Sequence, residues 1–435
     1  MSRAKDFARL PGFRDFPPEE MALRSHIFRA WRRVSRRYGF LEYDAPPLEP
    51  LDLYVEKSGE EIVGQLYNFT DKGDREVSLR PEMTPSLARV LGERSRAMPK
   101  PIRWFSIPQL FRYERQQRGR LREHFQWNVD LLGSDAVEAD AEILAVALDG
   151  LRELGLGQDE IRARVSDRRL LAALLASLGV PDGSLLATYA VVDKIEREPE
   201  ERIRELLTEQ VGLEPAAVEG IIQLFQAPDL DEVSRRFSED EEVARHLDQM
   251  REFLQVMEEL GLGEYVDFDL TIVRGLAYYT GIVFEVFDRA GEFRAICGGG
   301  RYDRLLELVG GESLPAVGFG MGDVVLTDLL QERGLAPDYR REVDHFIVVI
   351  GEDQSPLARR VARALRGKGR SVVYGIRGQS VRKQFSAAAN EGAREVIILG
   401  PDEVKREQAV LRDMETGEET EVPLQALLEG DPKEG

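Results

Sequence analysis

A run of arginines carries the strongest chemical signal in this sequence. Between Leu110 and Gln126 the chain places five of them, in a protein whose net charge is −20: Arg112, Arg115, Arg118, Arg120 and Arg122. Large apolar residues alternate with these arginines, which is typical of half-buried strands and less typical of a solvated basic loop. Guanidinium groups fixed beside a buried sheet favour planar anionic partners, so we expect this stretch to bind phosphate or carboxylate groups.

Three other stretches have residue types that suit a ligand site. Glu82 falls where a predicted strand meets a helix that we expect to open at Thr84, with the threonine as its cap. Gly298–Gly300 would let the backbone approach a ligand closely, although a simple bend would also use glycines. Pro315–Gly322 repeats small residues at every second position, so a flat or bulky group is expected to pack over that strand.

The surrounding pattern predicts the elements that position these residues. The arginine run becomes a long hairpin with Gln-Gln-Arg-Gly at its tip. An amphipathic helix over residues 18–38 ends at Gly39, before a short strand that runs into prolines. Residues 168–262 are helical throughout and resemble an insertion, because strand patterns resume after them. Those patterns predict a strand at Thr271–Val273 and, after the glycines, a helix from Arg301.

The character of the chain changes near residues 337–342. Strands then alternate with helices, which predicts a small parallel or mixed α/β domain. Residues 354–390 contain no Asp or Glu but nine basic residues, namely Arg359, Arg360, Arg363, Arg366, Lys368, Arg370, Arg377, Arg382 and Lys383. This composition favours a basic face large enough for nucleic acid, with a merely solvated side as the alternative.

Composition excludes several classes of protein. A length of 435 residues suits two or three domains, and 43% hydrophobic with 32% charged residues is ordinary for a globular protein. We expect a cytoplasmic protein without a membrane span, because the apolar runs are short and the start lacks a signal-peptide core. The single Cys297 and four scattered histidines argue against a built-in transition-metal site. The net negative charge of the chain argues against indiscriminate nucleic-acid binding.

In this order the segments resemble the class II aminoacyl-tRNA synthetases, and specifically the histidyl-tRNA synthetase family. The segment FRYERQQRGRLREHFQ resembles motif 2, RPEMTP the amino-acid-binding segment, and PAVGFGMG motif 3. Two stretches, RGLAYYTGIVFE and GGGRYD, are similar to the histidine-specific signatures. The resemblance implies an α+β fold with a class II antiparallel-sheet catalytic core over residues 1–336. It places a helical insertion at about 167–262 and an α/β anticodon-binding domain at 341–428.

The same resemblance implies an ATP-dependent ligase. Histidine's carboxylate would attack the α-phosphate of ATP, with Mg²⁺ bridging the phosphates, and the histidyl group would pass to the 3′ end of tRNA(His). Arg112 and Arg274 are the implied catalytic residues at the α-phosphate, and they bind ATP together with Arg120. The residues implied to bind histidine are Glu82, Thr84, Gln126, Asp130, Tyr278 and Tyr279. Arg115 and Gln117 would meet the tRNA acceptor end, and similarity to motif 1 in the first helix implies a homodimer.

Two positions depart from the family pattern. The motif 3 arginine that usually contacts ATP falls on Val325, and the usual aspartate of the RGLxYY signature is Ala277. Arg301 is one candidate to replace the missing cation, although an ion pair within the fold is an equal interpretation. The sequence leaves open what the helical insertion contacts and which tRNA identity rules apply.

Two rival functions remain. One is a non-catalytic, synthetase-like regulatory subunit of ATP phosphoribosyltransferase, and the other is a tRNA-binding module without ligase activity, which Val325 would explain. The regulatory paralogue typically lacks the anticodon-binding domain and has eroded signatures. This chain keeps both RGLAYYTG and the basic C-terminal domain, which favours the ligase.

We expect Arg274→His to abolish histidyl-adenylate formation while the fold survives. A preorganised donor at a reacting phosphate contributes about 3–4 kcal/mol to the transition state, and imidazole cannot replace the guanidinium fork. Histidine-dependent exchange of pyrophosphate into ATP measures the reaction, and circular dichroism controls for folding. Near-normal exchange would refute the role of Arg274.

Overall fold

The chain forms two compact units that divide between Pro337 and Asp338. A computed structural model describes residues 8–429 except residues 59, 93, 228, 305 and 377 and segments 114–118, 274–278, 308–312 and 340–341. No helix in this described part combines the length and apolar character needed to cross a membrane.

The first unit is organised on a nine-stranded, mostly antiparallel sheet. Its path is β1-β5-β7-β12-β11-β10-β8-β9, and β6 pairs with β7 off this path. The strands are β1 (Leu41–Glu42), β5 (Ile102–Ser106), β6 (Gln109–Phe111), β7 (Glu123–Leu132), β8 (Ile161–Asp167), β9 (Val266–Phe268), β10 (Ile282–Asp288), β11 (Cys297–Arg301) and β12 (Ala316–Gly322). A separate three-stranded sheet consists of β2 (Leu48–Pro50), β3 (Asn68–Thr70) and β4 (Glu76–Leu79).

The helices of the first unit follow the predicted pattern. In the described part of this unit they are α1 (Pro18–Arg37), α2 (Asp52–Ser58), α3 (Thr84–Leu91), α4 (Val137–Arg152) and α11 (Asp323–Glu332), with six more between β8 and β9. Those six are α5 (Arg168–Ser177), α6 (Leu185–Val192), α7 (Glu200–Glu205), α8 (Pro215–Phe225), α9 (Leu230–Arg236) and α10 (Glu241–Glu259), with a π-helical turn at Leu206–Val211. The predicted helical run before the strands resume is therefore confirmed, as is the end of α1 at Gly39, whose φ is +75°.

One face of the large sheet is a dense aromatic core. Trp127 of β7 stacks on Trp31 of α1, with ring centroids 5.8 Å apart, and meets Phe319 of β12 edge-on at 5.0 Å. The Trp127 indole N–H donates to Ser35 Oγ at 3.0 Å, which satisfies its buried donor. Because side chains alternate along a strand, Gln126, Asn128 and Asp130 must point to the opposite face of β7.

One main-chain and one side-chain hydrogen bond join the arginine hairpin to the segment that contains Glu82. The Phe111 N–H donates to the Arg80 carbonyl at 3.0 Å, and the Arg112 Nε–H donates to the Pro81 carbonyl at 3.1 Å. The Arg112 N–H donates to the Arg122 carbonyl at 2.9 Å, so the two arms pair as the sequence predicted. The first arm of the hairpin therefore lies beside the junction between β4 and α3.

The second unit has a five-stranded mixed sheet in the order β14-β13-β15-β16-β17. Its strands are β13 (Val343–Val349), β14 (Val372–Tyr374), β15 (Ala393–Leu399), β16 (Gln408–Asp413) and β17 (Glu419–Pro423), and its helices are α12 (Ser355–Gly367), α13 (Val381–Asn390), α14 (Pro401–Lys405) and α15 (Leu424–Leu428). β13 runs parallel to β14 and β15. Helix α12 buries Leu357, Val361 and Leu365 while Arg359, Arg360 and Arg363 are exposed, so its basic face points to solvent.

Three local predictions were wrong. Thr84 is the first helical residue of α3, and the cap position belongs to Met83, without a side-chain hydrogen bond. Thr271–Val273 is not a strand, because Asp269 accepts hydrogen bonds from the Thr271 N–H and hydroxyl and holds a turn there. Arg301 begins no helix but ends strand β11.

Arg301 is also the wrong candidate for holding ATP. Its side chain is 3% exposed and forms an ion pair with Asp140 of α4, with Nη2 2.6 Å from Oδ2. The same guanidinium donates to the Ser134 and Ala136 carbonyls at 2.9 and 3.2 Å. Strand alternation turns Arg301 away from the face on which Gly298 and Gly300 lie, so this ion pair is internal to the fold.

Replacing Arg301 with methionine should destabilise the protein by about 3–5 kcal/mol, because the Asp140 carboxylate would remain buried without its partner. Urea denaturation of Arg301→Met measures the loss. The double variant Arg301→Met with Asp140→Leu should recover most of it, since neither buried charge remains. A single variant with normal stability but a raised KM for ATP would contradict the internal ion pair.

Candidate active site

Four glycines form a floor on the face of the sheet opposite the aromatic core. Gly298 and Gly300 of β11 pair directly with Gly320 and Gly318 of β12. A Cβ on Gly318 would lie 2.6 Å from Asp130 Oδ1, and one on Gly320 would lie 2.7 Å from Gln126 Nε2. The group expected to pack over β12 is thus a pair of polar side chains from the neighbouring strand. Glycine is required here because any side chain would fill the space above the sheet.

A cavity of about 560 Å³ lies above this floor, and we call it the acidic cavity. Of the residues that the structure describes, three carboxylates line it, from Glu82, Asp130 and Glu285. Thr84 and the polar residues Gln126, Asn128, Tyr279 and Tyr302 complete the polar lining. Glu82 comes from the junction before α3, and Glu285 from β10. A small cationic or hydrogen-bonding molecule fits this lining.

Asp130 is a strongly perturbed carboxyl group in this cavity. Burial raises its pKa to about 7, although a hydrogen bond donated by the Tyr302 hydroxyl lowers the pKa in part. The carboxyl therefore titrates near neutral pH, where a nearby ammonium or imidazolium group would favour its charged form. A strongly shifted acid in a cavity is typical of a functional site.

A second cavity, of about 870 Å³, adjoins the first, and we call it the arginine cavity. Within the described part of the chain, five arginines line it: Arg112, Arg120, Arg164, Arg197 and Arg294. The pKa of His124, in the same wall, falls to about 3, first because of burial and then because of the charges of Arg112, Arg14 and Arg120. The imidazole is thus neutral, and the cavity offers the positive potential that a polyphosphate needs.

Arg112, Gln126 and Glu285 line both cavities. The contact between Arg112 Nε and the Pro81 carbonyl fixes this guanidinium at the border, next to Glu82. A molecule with both a cationic and an acidic group could bind here. Its cationic group would lie among the carboxylates, and its acidic group would reach Arg112. Among the described residues there is no group of three or more His, Cys, Asp or Glu that could hold a metal ion.

Family models match both units of the chain. A model described as histidyl-tRNA synthetase matches residues 12–323, and one described as anticodon binding domain matches residues 344–430. The chain belongs to the histidyl-tRNA synthetase family. These matches confirm the predicted fold class, a class II catalytic core with a C-terminal α/β anticodon-binding domain.

Curated relatives support the same membership over nearly the full length. The chain is 43% identical over 423 residues to a histidine–tRNA ligase of Opitutus terrae, with 97% of each chain covered. It is 41% identical to the chloroplastic/mitochondrial histidine–tRNA ligase of Arabidopsis thaliana, covering 96% of this chain and 85% of that protein. A histidine–tRNA ligase of Natronomonas pharaonis is 40% identical, with 98% and 97% covered.

Solved structures share the fold at lower identity. The crystal structure of histidyl-tRNA synthetase from Nostoc sp. superposes with a TM-score of 0.81 at 24% identity, covering 97% of this chain and 98% of that one. A structure named ATP phosphoribosyltransferase regulatory subunit/histidyl-tRNA synthetase, from Bacillus halodurans, gives 0.75 at 23% identity, covering 91% and 99%. Both likenesses concern the fold alone, so they do not separate the ligase from the regulatory subunit.

Most described residues predicted from the synthetase motifs converge on the two cavities. Glu82, Thr84, Gln126, Asp130 and Tyr279 line the acidic cavity, and Arg112 and Arg120 line the arginine cavity. Arg115, Gln117, Arg274, Ala277 and Tyr278 lie outside the described residues. The guanidinium of Arg122 instead packs over the Tyr113 ring, 4.4 Å from its centroid.

Several lining residues were missed from the sequence. Asn128 is two residues from both Gln126 and Asp130, so its side chain points to the same face of β7. Side-chain alternation along the strand alone would have predicted it as a lining residue. Glu285 of β10 is the last residue of the RGLAYYTGIVFE signature, but its place in both cavities, like that of Arg294 in the following loop, follows from strand pairing. Four residues of the helical insertion also form part of the wall of the arginine cavity, namely Val192, Asp193, Glu196 and Arg197.

Replacing Asp130 with asparagine should change how stability depends on pH. A carboxyl whose pKa rises from 3.8 to about 7 on folding destabilises the native state progressively between those values, because the unfolded chain loses its proton first. Relative to wild type, Asp130→Asn should therefore gain about 2–3 kcal/mol in unfolding free energy between about pH 5 and pH 8. Urea denaturation at both pH values tests this. A stability difference that is independent of pH would contradict the raised pKa.

Proposed function

We propose that this chain is a histidine–tRNA ligase whose acidic cavity binds histidine and whose arginine cavity binds ATP. One observation carries the proposal: Arg112 lines both cavities where they meet. Histidine has a cationic ammonium group and a carboxylate, and ATP presents an α-phosphate for that carboxylate to attack. The border between a carboxylate-lined and an arginine-lined cavity is where these two groups would react.

In the acidic cavity, Glu82 and Asp130 bind the ammonium group of histidine, together with Thr84 and Gln126. Tyr279, and Tyr278 by resemblance, lie at the imidazole. A buried site that hydrogen-bonds a polar side chain can reject apolar analogues by about 10⁴–10⁵-fold, since its polar groups would otherwise stay unpaired. This selectivity suits an enzyme that must distinguish histidine from other amino acids.

At the border, Arg112 stabilises the negative charge that develops on the α-phosphate during attack by the histidine carboxylate. Arg274 acts from the opposite side by resemblance, and Arg120 binds the nucleotide. Mg²⁺ that accompanies ATP neutralises phosphate charge and prefers oxygen ligands, and Glu285 is the carboxylate at the border that would hold it. The bond that breaks is the one between the α-phosphate and pyrophosphate.

The second step transfers histidine from the adenylate to tRNA(His). We propose that Arg115 and Gln117 at the hairpin tip meet the acceptor end. The second unit, with exposed Arg359, Arg360 and Arg363, would bind the anticodon region through phosphate contacts. We assign residues 1–336 to the catalytic domain, with its helical insertion at about 167–262, and 341–428 to the anticodon-binding domain.

We further propose a cytoplasmic homodimer. Leu10, Leu41 and Leu48 are exposed, and the last two lie in the proline-rich segment that follows the helix resembling motif 1. Exposed apolar residues in this proline-rich segment favour a protein interface. Sedimentation at several concentrations measures the oligomeric state.

The regulatory subunit of ATP phosphoribosyltransferase is the second candidate, because a structure that carries this name shares the fold. The match to an anticodon-binding domain and about 40% identity over the full length of histidine–tRNA ligases favour the enzyme. Purified protein should exchange pyrophosphate into ATP in a histidine-dependent manner and then charge tRNA(His). Absence of both activities in folded protein would overturn the ligase.

Glu82→Gln should raise the KM for histidine by about 10–100-fold, because a charged hydrogen-bonding partner of an ammonium group contributes about 1.5–3 kcal/mol. The KM for ATP should stay within about twofold, since Glu82 lines only the acidic cavity. Pyrophosphate exchange with each substrate varied in turn separates the two effects. Glu76→Gln, an exposed position on β4 away from the cavities, is the matched control, and equal behaviour of the two variants would refute the role of Glu82.

A further inference from the structure

The resemblance places an ATP-contacting arginine at position 325, and the structure shows what valine does there. Val325 lies in the first turns of α11, is 8% exposed and lines the arginine cavity. Its apolar side chain contributes packing but no charge toward a polyphosphate. A cation for the distal phosphates of ATP must therefore come from another element of the wall.

Arg294 reaches the same part of the wall from a different element. It belongs to the loop between β10 and β11 and lines the arginine cavity. A Cβ placed on Gly119, beside the hairpin tip, would lie 3.1 Å from Val325 Cγ2 and 3.8 Å from Arg294 Cδ. The side chains of Val325 and Arg294 therefore lie close to the same position on the cavity wall, which is next to Arg120.

The loop that carries Arg294 is held in a fixed conformation. The buried Asp288 carboxylate accepts hydrogen bonds from the Glu292 and Phe293 N–H groups at 2.9 and 3.0 Å. The Ile296 N–H donates to the Val286 carbonyl at 2.8 Å, which closes the loop on its other side. An arginine on a loop fixed in this way loses less conformational entropy when it binds a phosphate.

Two other arginines that line this cavity lie at different places on its wall. Arg164 forms ion pairs with Asp269 and Glu196, so its guanidinium is part of the internal packing of the first unit. Arg197 forms an ion pair with Asp193, four residues earlier in the turns that follow α6. Neither adjoins the point that Val325 and Arg294 share.

We propose that Arg294 binds the pyrophosphate portion of ATP, and so supplies from the β10–β11 loop the cation that position 325 lacks. This inference rests on the proposed ligase function. Arg112 would then act at the α-phosphate while Arg294 and Arg120 act at the distal phosphates, which become the leaving group. The guanidinium fork suits phosphate oxygens, with two parallel N–H donors for one phosphate.

Pyrophosphate exchange by Arg294→Ala tests the proposal, because both ATP and pyrophosphate are substrates of that assay. We expect the KM values for ATP and for pyrophosphate to rise by about 10–100-fold each, as for loss of a charge-assisted hydrogen bond. The KM for histidine should stay within about twofold. Arg289→Ala is the matched control, because Arg289 lies on the same loop and does not line either cavity.

The outcomes of this experiment distinguish a failure of the proposed ligase function from a failure of the role proposed for Arg294. If wild-type protein shows no histidine-dependent exchange, the proposed function fails before Arg294 is at issue. If wild type is active and Arg294→Ala keeps normal KM values for ATP and pyrophosphate, the inference is overturned. A raised KM for ATP with an unchanged KM for pyrophosphate also overturns it, because Arg294 would then contact the adenosine part. Equal melting temperatures of the two variants exclude unfolding as the cause.

Discussion

The site depends on a close approach of three strands that only glycine permits. On the site face of the sheet, β11 carries Gly298 and Gly300, and β12 carries Gly318 and Gly320. The missing side chains of Gly318 and Gly320 leave room for Asp130 and Gln126 of β7. On the other face the same strands carry large residues, such as Phe319, that pack around Trp127. One sheet can therefore hold a ligand cavity on one side and a dense core on the other, because side-chain direction alternates along each strand.

Electrostatics divides this cavity system into two parts. Burial raises the pKa of Asp130 on the acidic side, whereas burial and three arginines lower the pKa of His124 on the other. The ammonium group of histidine would be attracted to the acidic cavity and repelled by the arginine cavity. The phosphates of ATP would be attracted to the arginine cavity and repelled by the acidic one. Arg112 stands at the border, held by the Pro81 carbonyl, where the reacting groups would meet.

The sequence predicted elements whose signals are local. Helix α1 with its terminal Gly39, the arginine hairpin and the alternating C-terminal domain all follow from periodicity and turn residues. Seven of the site residues predicted from the motifs line the two cavities. The site prediction that was wrong concerns contacts between residues far apart in the sequence. Arg301 follows Gly300 directly, yet it faces the opposite side of the sheet and pairs with Asp140, 161 residues earlier. Arg294 lies outside the quoted motifs and reaches the arginine cavity through the register of β10 and β11, which no local pattern reveals.

The most direct test is a crystal structure of the protein with histidine and a non-hydrolysable ATP analogue. We expect the histidine ammonium group beside Glu82 and Asp130 above the glycine floor, and its carboxylate near the α-phosphate at Arg112. The distal phosphates should lie toward Arg120 and Arg294. Histidine bound outside the acidic cavity, or an α-phosphate distant from Arg112, would contradict the division of the site into these two cavities.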